Sequence, residues 1–201
     1  MRRILLASIL AGSAWSAHAA PASWTYTYTG FFATHATSDF DGSSTYSEGF
    51  EPDTQILGSF SGQDDDGDGV IGLAELGGFF VNGIDYFSCM ANPSPYGRCS
   101  IRRFSYVAGG ALDFSAGWYG YDEAVSGWSG DVITGVEVLD YSYRDRFEST
   151  RHLYWTEATR FNIVQTPVPE PAGGAMAAAG LLLLAGLGSR RMRWAPGGAR
   201  P

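Results

Sequence analysis

A strict alternation of aromatic and threonine residues near the start of the chain constrains the fold most. Residues 24–29 read Trp-Thr-Tyr-Thr-Tyr-Thr. Successive side chains of a β-strand point to opposite faces, so one face of this segment carries rings and the other carries hydroxyls. Helical spacing of apolar residues is nearly absent between residues 21 and 166. Residues 24–29 therefore predict a strand with one apolar face.

Further short runs with strand character follow, separated by Gly, Asn, Asp and Ser. They cover residues 55–61, 79–81, 84–87, 102–107, 111–114, 132–143 and 152–165. Asn82 and Gly83 lie between two of these runs and readily adopt the positive φ angles of a type I′ hairpin turn. We predict an all-β sandwich or barrel of about seven to nine mostly antiparallel strands, whose order the sequence does not specify.

Residues 64–75 carry the clearest chemical motif, Asp-Asp-Asp-Gly-Asp-Gly-Val-Ile-Gly-Leu-Ala-Glu. The spacing matches a twelve-residue EF-hand calcium loop, in which alternate residues of a tightly curled backbone point towards one cation. Gly69 then occupies the sharp turn at position 6, and Ile71 occupies the apolar position 8. The predicted ligands are Asp64, Asp66, Asp68, Val70 through its carbonyl, Gly72 through a water, and Glu75 through both carboxylate oxygens.

The alternative is a solvated acidic turn that binds nothing, because Asp and Gly clusters are common in exposed loops. The calcium site is favoured because every constrained position of the motif is filled at once. The flanks differ from those of an EF-hand, since residues 56–60 alternate like a strand and residues 73–77 allow only about one helical turn. We expect a single loop inserted into β structure, with an affinity on the order of 10⁻⁴ to 10⁻³ M and a structural role for Ca²⁺.

The first 20 residues have the composition of a cleavable secretory signal peptide. Arg2 and Arg3 precede an apolar stretch from Ile4 to Trp15, and small residues follow up to residue 20. An amphipathic helix of the mature domain is the less favoured alternative, because the apolar stretch is uniform and lies at the extreme terminus. We therefore expect an exported protein whose mature segment begins near Pro21.

A second apolar segment lies near the other end of the chain. Residues 172–188 are seventeen residues without a charge, and Arg190 and Arg191 follow them. This length is at the short end for a transmembrane helix, and the arginines predict that residues 195–201 form a cytoplasmic tail. A buried core helix is the alternative, but a run that is apolar on all faces has nothing evident to pack against.

The segment between these ends is strongly acidic and holds both cysteines. All 21 acidic residues but only seven of the 13 arginines lie between Pro21 and Glu170, a net charge of −14. This charge argues against nucleic acid or anionic lipid as a partner and favours cations. Cys89 and Cys99 have no histidine or second cysteine pair nearby, so a local disulfide is favoured over a metal site or a reactive thiol.

Catalytic motifs are absent from the sequence. His35 and His152 are the only histidines between residues 21 and 166, and neither lies in a zinc or catalytic pattern. No nucleophile elbow, phosphate-binding glycine loop or dinucleotide fingerprint occurs. The aromatic residues between 118 and 128 could form a platform for sugar rings, although ordinary core and rim packing is the more common role of such side chains. They are Trp118, Tyr119, Tyr121 and Trp128.

The C-terminal segment resembles a known sorting signal. Pro169-Glu170-Pro171, the apolar run and the Arg190-Arg191 cluster occur in the order of the PEP-CTERM signal of Gram-negative bacteria. The resemblance covers about the last 25 to 35 residues. It implies recognition of Pro169, Glu170 and Pro171 by an exosortase, removal of the tail, and a role in the envelope or in an exopolysaccharide matrix.

We therefore divide the chain into a signal peptide (residues 1–20), an exported β-domain (21–166), a sorting signal with its transmembrane helix (167–194) and a cytoplasmic tail (195–201). The expected function is that of a calcium-binding, surface-sorted matrix or envelope component without catalysis. The expected location is the membrane until processing, and then the cell surface or extracellular matrix. A carbohydrate-binding or glycan-processing module with structural calcium is the alternative.

Overall fold

The computed structural model of the chain describes residues 21–122 and 125–166. These residues form eleven strands, one short α-helix, and a 3-10 turn at Leu73–Glu75. In chain order the elements are β1 (Ala22–Ser38), β2 (Ser44–Gly62), β3 (Val70–Gly72), β4 (Leu76–Val81), β5 (Ile84–Asp85), α1 (Tyr86–Ala91), β6 (Gly97–Val107), β7 (Leu112–Asp122), β8 (Ser126–Ile133), β9 (Glu137–Arg144), β10 (Phe147–Tyr154) and β11 (Arg160–Thr166).

The strands form an antiparallel half-barrel organised around β1. Their order is β3-β6-β7-β8-β9-β10-β1-β2-β4-β5, and β11 also pairs with β1. The first part of β1 lies beside β11 and the last part beside β10. Between these parts the pairing with β2 shifts register at Gly30, whose φ of +85° suits glycine. This bulge lets one long strand serve two parts of the sheet.

The structure confirms the strand predicted at residues 24–29. Trp24, Tyr26 and Tyr28 are buried, whereas the intervening threonines are more exposed. The phenol of Tyr26 donates to the carbonyl of Phe80 at 3.2 Å, and that of Tyr28 donates to the carbonyl of Leu112 at 3.1 Å. The hydroxyl groups of these two buried rings thus donate to backbone carbonyls, which offsets the free-energy cost of burying a polar group.

Aromatic rings fill the interior of the half-barrel. Phe60 and Phe104 meet edge to face with ring centroids 5.0 Å apart, and Phe79 and Phe114 do the same at 5.0 Å. Such pairs add to the free energy gained from burying the ring area itself. We call this group of buried rings the aromatic core, and it includes Trp24, Tyr26, Phe60, Phe79, Phe104, Tyr106 and Phe114.

The all-β antiparallel architecture agrees with the sequence prediction, but the strand count differs. Two of the predicted runs contain a turn: residues 132–143 turn at Gly135, where φ is +74°, and residues 152–165 break between β10 and β11. The first part of β2, from Ser44 to about residue 54, was missed because most of its residues are polar and exposed, and the rings of Tyr46 and Phe50, which are exposed too, do not mark an apolar face. The missed part only lengthens β2, whereas the two splits and the unpredicted strand β3 (Val70–Gly72) raise the count from the expected seven to nine to eleven among the described residues.

The hairpin at Asn82-Gly83 is confirmed, with φ angles of 48° and 85°. The strand predicted at residues 84–87 is wrong beyond Asp85, because Asp85 caps α1. Its carboxylate accepts a hydrogen bond from the amide of Ser88 at 3.1 Å. The Cys89–Cys99 disulfide is present and links α1 to β6, with the two Cα atoms 5.7 Å apart.

Several predictions lie outside the described residues. They are the signal peptide at residues 1–20 and the sorting signal, transmembrane helix and tail at residues 167–201. Within residues 21–122 and 125–166, no helix has the length and apolar composition needed to cross a membrane.

Candidate metal centre

The acidic loop connects β2 to β4, near one end of the strand order, and its strand β3 lies at the other end. It leaves β2 at Gly62, includes the short strand β3, and passes through the 3-10 turn into β4. β3 pairs with the end of β6, so the second part of the loop belongs to the sheet. As the flanking sequences predicted, no helix enters the loop and only one short turn leaves it.

Three carboxylates of the loop converge. Oxygen atoms of Asp64, Asp66 and Asp68 all lie within 4.8 Å of one another, and the three side chains are exposed or half-exposed. A group of this kind could hold a metal ion, because carboxylate oxygens at such separations can reach one cation together. The structure thus brings together three of the six predicted ligand residues.

The aspartates themselves curl the backbone around this group. The Asp64 carboxylate accepts hydrogen bonds from the amides of Gly67 at 2.7 Å and Gly69 at 2.9 Å. The Asp66 carboxylate accepts from the amide of Asp68 at 3.1 Å, and that of Asp68 accepts from the amide of Val70 at 2.7 Å. Gly67 and Gly69 have φ angles of +77° and +82°, which residues with side chains rarely adopt. These positions explain why the motif needs glycine between its aspartates.

Glu75 closes the loop through the backbone. One carboxylate oxygen accepts from the amide of Asp65 at 2.8 Å, and the other accepts from the amide of Gly72 at 2.9 Å. These amide hydrogen bonds, the one from Gly72 foremost, lower the pKa of Glu75 and favour its charged form. Glu75 therefore binds the loop backbone and is not part of the converging group.

The two remaining predicted ligand residues lie in β3. Val70 begins this strand opposite Val107, and Gly72 ends it opposite Ser105. Ile71 between them is buried and points towards Gly62, where a Cβ atom would lie only 2.6 Å from its side chain. Ile71 therefore anchors the acidic loop to the aromatic core.

Neither His35 nor His152 belongs to the converging group of possible metal ligands, and His35 lies beside Glu51 instead. His35 Nε2 lies 2.9 Å from a Glu51 oxygen, and Arg151 reaches the other oxygen of Glu51 at 3.1 Å. Hydrogen bonds from Thr54, His35 and Arg151 lower the pKa of Glu51 to about 2. This cluster was missed by sequence analysis, because it joins β1, β2 and β10 and has no local signature.

The aromatic residues between 118 and 128 do not form one platform. The indole rings of Trp118 and Trp128 lie over Gly130 and Gly120 on the core side of the sheet, where added Cβ atoms would be 2.1 and 2.5 Å from them. Tyr119 and Tyr121 alternate with these positions along β7 and lie on the opposite face. The four rings therefore do not form one flat face, although all four residues border one depression of about 480 Å³.

Comparisons of the chain with protein-family models, with curated proteins and with solved structures give no match.

Proposed function

We propose that this protein is an exported β-domain protein that binds one Ca²⁺ at residues 64–75 and serves as a non-catalytic component of the cell envelope or of an extracellular matrix. The observation that supports the metal site is the convergence of Asp64, Asp66 and Asp68 within 4.8 Å on a backbone curled by their own hydrogen bonds. The role proposed for the ion is structural.

Calcium is the proposed ion because all the ligands that the loop offers are oxygens. A Ca²⁺ ion takes six to eight oxygen ligands in a flexible arrangement, from carboxylates, backbone carbonyls and water. The three aspartates would supply one oxygen each, Val70 its carbonyl, and a water at Gly72 a further ligand. Glu75 would supply both oxygens after exchanging its amide hydrogen bonds for the ion. No sulfur or imidazole ligand lies in the loop, which argues against a zinc site.

A bound ion would stabilise the edge of the half-barrel. Five carboxylates, at residues 64, 65, 66, 68 and 75, occupy one twelve-residue segment. Their mutual repulsion is reduced when a divalent cation lies among them. Because Ile71 and β3 connect the loop to the core and to β6, ordering of the loop by calcium would also stabilise the sheet.

The export and surface location are supported by sequence features and by the disulfide. Disulfides persist mainly in oxidising compartments outside the cytosol, which agrees with Cys89–Cys99 in an exported domain. The likeness of residues 169–191 to a sorting signal adds an exosortase as a proposed processing partner and a membrane anchor before processing.

A calcium titration of the purified full-length protein tests this function. We expect isothermal titration calorimetry to show one binding site, and Glu75→Gln to lose it because the variant removes the bidentate carboxylate. Asp65→Asn is the matched control, since residue 65 occupies position 2 of the loop and is not a predicted ligand. Absence of calcium binding in the native protein, or equal losses in both variants, would contradict the proposal.

A carbohydrate-binding module is the second candidate function. It is favoured by exposed rings on the described strands, such as Trp128 and Tyr119, whose side chains are 48% and 44% exposed. Large exposed aromatic rings are common in sites that bind sugars or proteins.

A further inference from the structure

The outer face of strands β6 to β8 carries an arginine-rich depression. It has a volume of about 390 Å³. Its lining includes the side chains of Arg98, Ser100, Arg102, Tyr119, Ser129 and Asp131. We call this feature the arginine depression. It lies on the face of β7 opposite the aromatic core, because its residues alternate with the buried Phe114 and Ala116.

A β-bulge directs two successive arginines to this face. The pairing of β6 with β7 shifts between Ile101 and Arg103, which leaves Arg102 as the extra residue. Arg102 then forms an ion pair with Asp131, and Arg103 pairs with Asp113 at 2.7 Å. Bulges often re-aim side chains at functional sites. A regular strand would have placed one of the two guanidinium groups on the core side.

The ion pair of Arg102 and Asp131 forms the floor of the depression. It crosses β7 above Gly117, where a Cβ atom would lie 2.5 Å from the Asp131 oxygen and 3.2 Å from the guanidinium. Arg102 also donates from Nε to the hydroxyl of the buried Ser115 at 3.1 Å. The guanidinium is therefore held in place before any ligand arrives, which lowers the entropy lost on binding.

Arg98 and Tyr119 stand side by side at the rim. They are directly opposite in the pairing of β6 with β7, and Ser129 is opposite Tyr119 on β8. The charges of Arg102 and Arg103 are balanced by aspartates, whereas Arg98 forms no ion pair among the described residues. The patch of three arginines and two aspartates is thus locally positive on a domain whose net charge is strongly negative.

We infer that the arginine depression binds a carbohydrate that carries carboxylate groups, with one uronic acid unit seated on it. The charge of Arg98, which is unpaired among the described residues, complements a sugar carboxylate. The exposed ring of Tyr119 offers a flat face to the C–H groups of a pyranose, and the Arg102–Asp131 pair and two serines offer both donors and acceptors to hydroxyls. An acidic peptide is a poorer complement, because it lacks the C–H face and the hydroxyl groups of a pyranose that Tyr119 and the Arg102–Asp131 pair would contact.

This inference names a ligand for the surface role proposed above and rests on that role. The test is calorimetric binding of glucuronic acid oligosaccharides to the full-length protein at fixed calcium concentration. The matched probe is the same oligosaccharide with its carboxyl groups reduced to alcohols. We expect the charged oligosaccharide to bind and the reduced one to bind about tenfold more weakly, because a charge-assisted hydrogen bond is lost.

Two variants remove separate parts of the depression. We expect Arg98→Gln to weaken binding about tenfold and Tyr119→Ala about three- to tenfold. Their controls are Arg160→Gln on β11 and Tyr46→Ala on β2, which change similar exposed side chains elsewhere and should bind like the native protein. Unchanged melting temperatures would show that the exposed substitutions leave the fold intact.

Several outcomes would overturn the inference. Equal binding of charged and reduced oligosaccharides would do so, as would native affinity in both Arg98→Gln and Tyr119→Ala. Competition by inorganic sulfate as strong as that by glucuronate would reveal only a general anion site. The Glu75→Gln variant separates the two proposals: we expect it to keep carbohydrate binding, and loss of binding there would mean that loop-bound calcium holds the sugar.

Discussion

The aromatic core and the acidic loop differ in where their contacts come from. The core joins rings from strands that are far apart in the sequence, such as Tyr26 and Phe114 with centroids 5.7 Å apart. In the loop, the hydrogen bonds to carboxylates join residues at most ten positions apart, such as Asp65 and Glu75. Burial of apolar surface stabilises the core in any ionic medium, whereas the loop gathers like charges that a cation would relieve. The core therefore needs no ligand for its stability, whereas under our proposal the stability of the loop depends on calcium.

The largest expected effect comes from opening the core. We expect Phe114→Ala to lower the free energy of unfolding by about 3–5 kcal/mol, because the side chain is fully buried among other rings. Urea denaturation at saturating calcium measures it. The control is Tyr46→Ala, 65% exposed, which should change stability by less than about 0.5 kcal/mol. Similar losses in both variants would show that the core does not dominate stability.

Ile71 connects the two regions, so its truncation tests whether they are separate. We expect Ile71→Ala to cost about 2–3 kcal/mol and also to weaken calcium binding, because the loop loses its anchor at Gly62. Ile71→Val should keep most of both properties. Paired denaturation and calcium titration measure the two effects. A stability loss with unchanged calcium affinity would mean that the loop forms its site without support from the core.

We expect bound calcium to raise the free energy of unfolding by the same amount in the native protein and in a core variant. At a free calcium concentration a hundredfold above Kd, we expect about 2.7 kcal/mol in the native protein. The same increment should appear in Phe114→Ala to within about 0.5 kcal/mol, since the ring partners of Phe114 are Tyr26 on β1 and Phe79 on β4, which lie outside the loop. Thermal melting with calcium and with chelator checks this. A clearly smaller increment in the variant would reveal coupling between core and loop.

The smallest expected effect is a change of folding stability with pH that comes from Glu51. Its pKa in the folded protein is about 2, below the ordinary value of 4.5, so its charged form stabilises the fold above pH 4.5. That contribution is lost as pH falls from 4.5 to 2. Because the pair is over one third exposed, we expect a loss below about 1 kcal/mol. Glu51→Gln should flatten this part of the stability profile, whereas Glu157→Gln should not.

The acidic loop could be predicted from sequence because its geometry is local. Each of the three converging aspartates accepts a hydrogen bond from a backbone amide two to five residues further on, so spacing along the chain determines which side chains converge. Local sequence also predicted three other features, namely the strand at residues 24–29, the Asn82-Gly83 turn and the Cys89–Cys99 disulfide. The position of the Glu75 carboxylate on the amides of Asp65 and Gly72 was not predicted, because it depends on how β3 closes the loop.

Features that depend on strand order could not be predicted. The Arg102–Asp131 pair needs β6, β7 and β8 side by side, and the Glu51 cluster needs β2, β1 and β10. The sequence shows alternation within a strand but not which strand lies beside it. The helix at Tyr86 did have a local signal, since Asp85 followed three residues later by Ser88 is a capping pattern. The aromatic residues within 84–87 favoured a strand, so this helix was not predicted.

The position of β1 has a consequence for how the domain folds. β1 is the first strand of the chain, yet its partners include β10 and β11, so Trp24 pairs with Gln165. Native pairings between such distant segments make folding slow, because a long loop must close before the contacts form. A chain emerging from its N-terminus can assemble the hairpin of β1 and β2 early, but the half-barrel is completed only when the final strand is available. Until then the apolar face of β1 has only part of its cover, and the growing chain is most prone to aggregation at that stage.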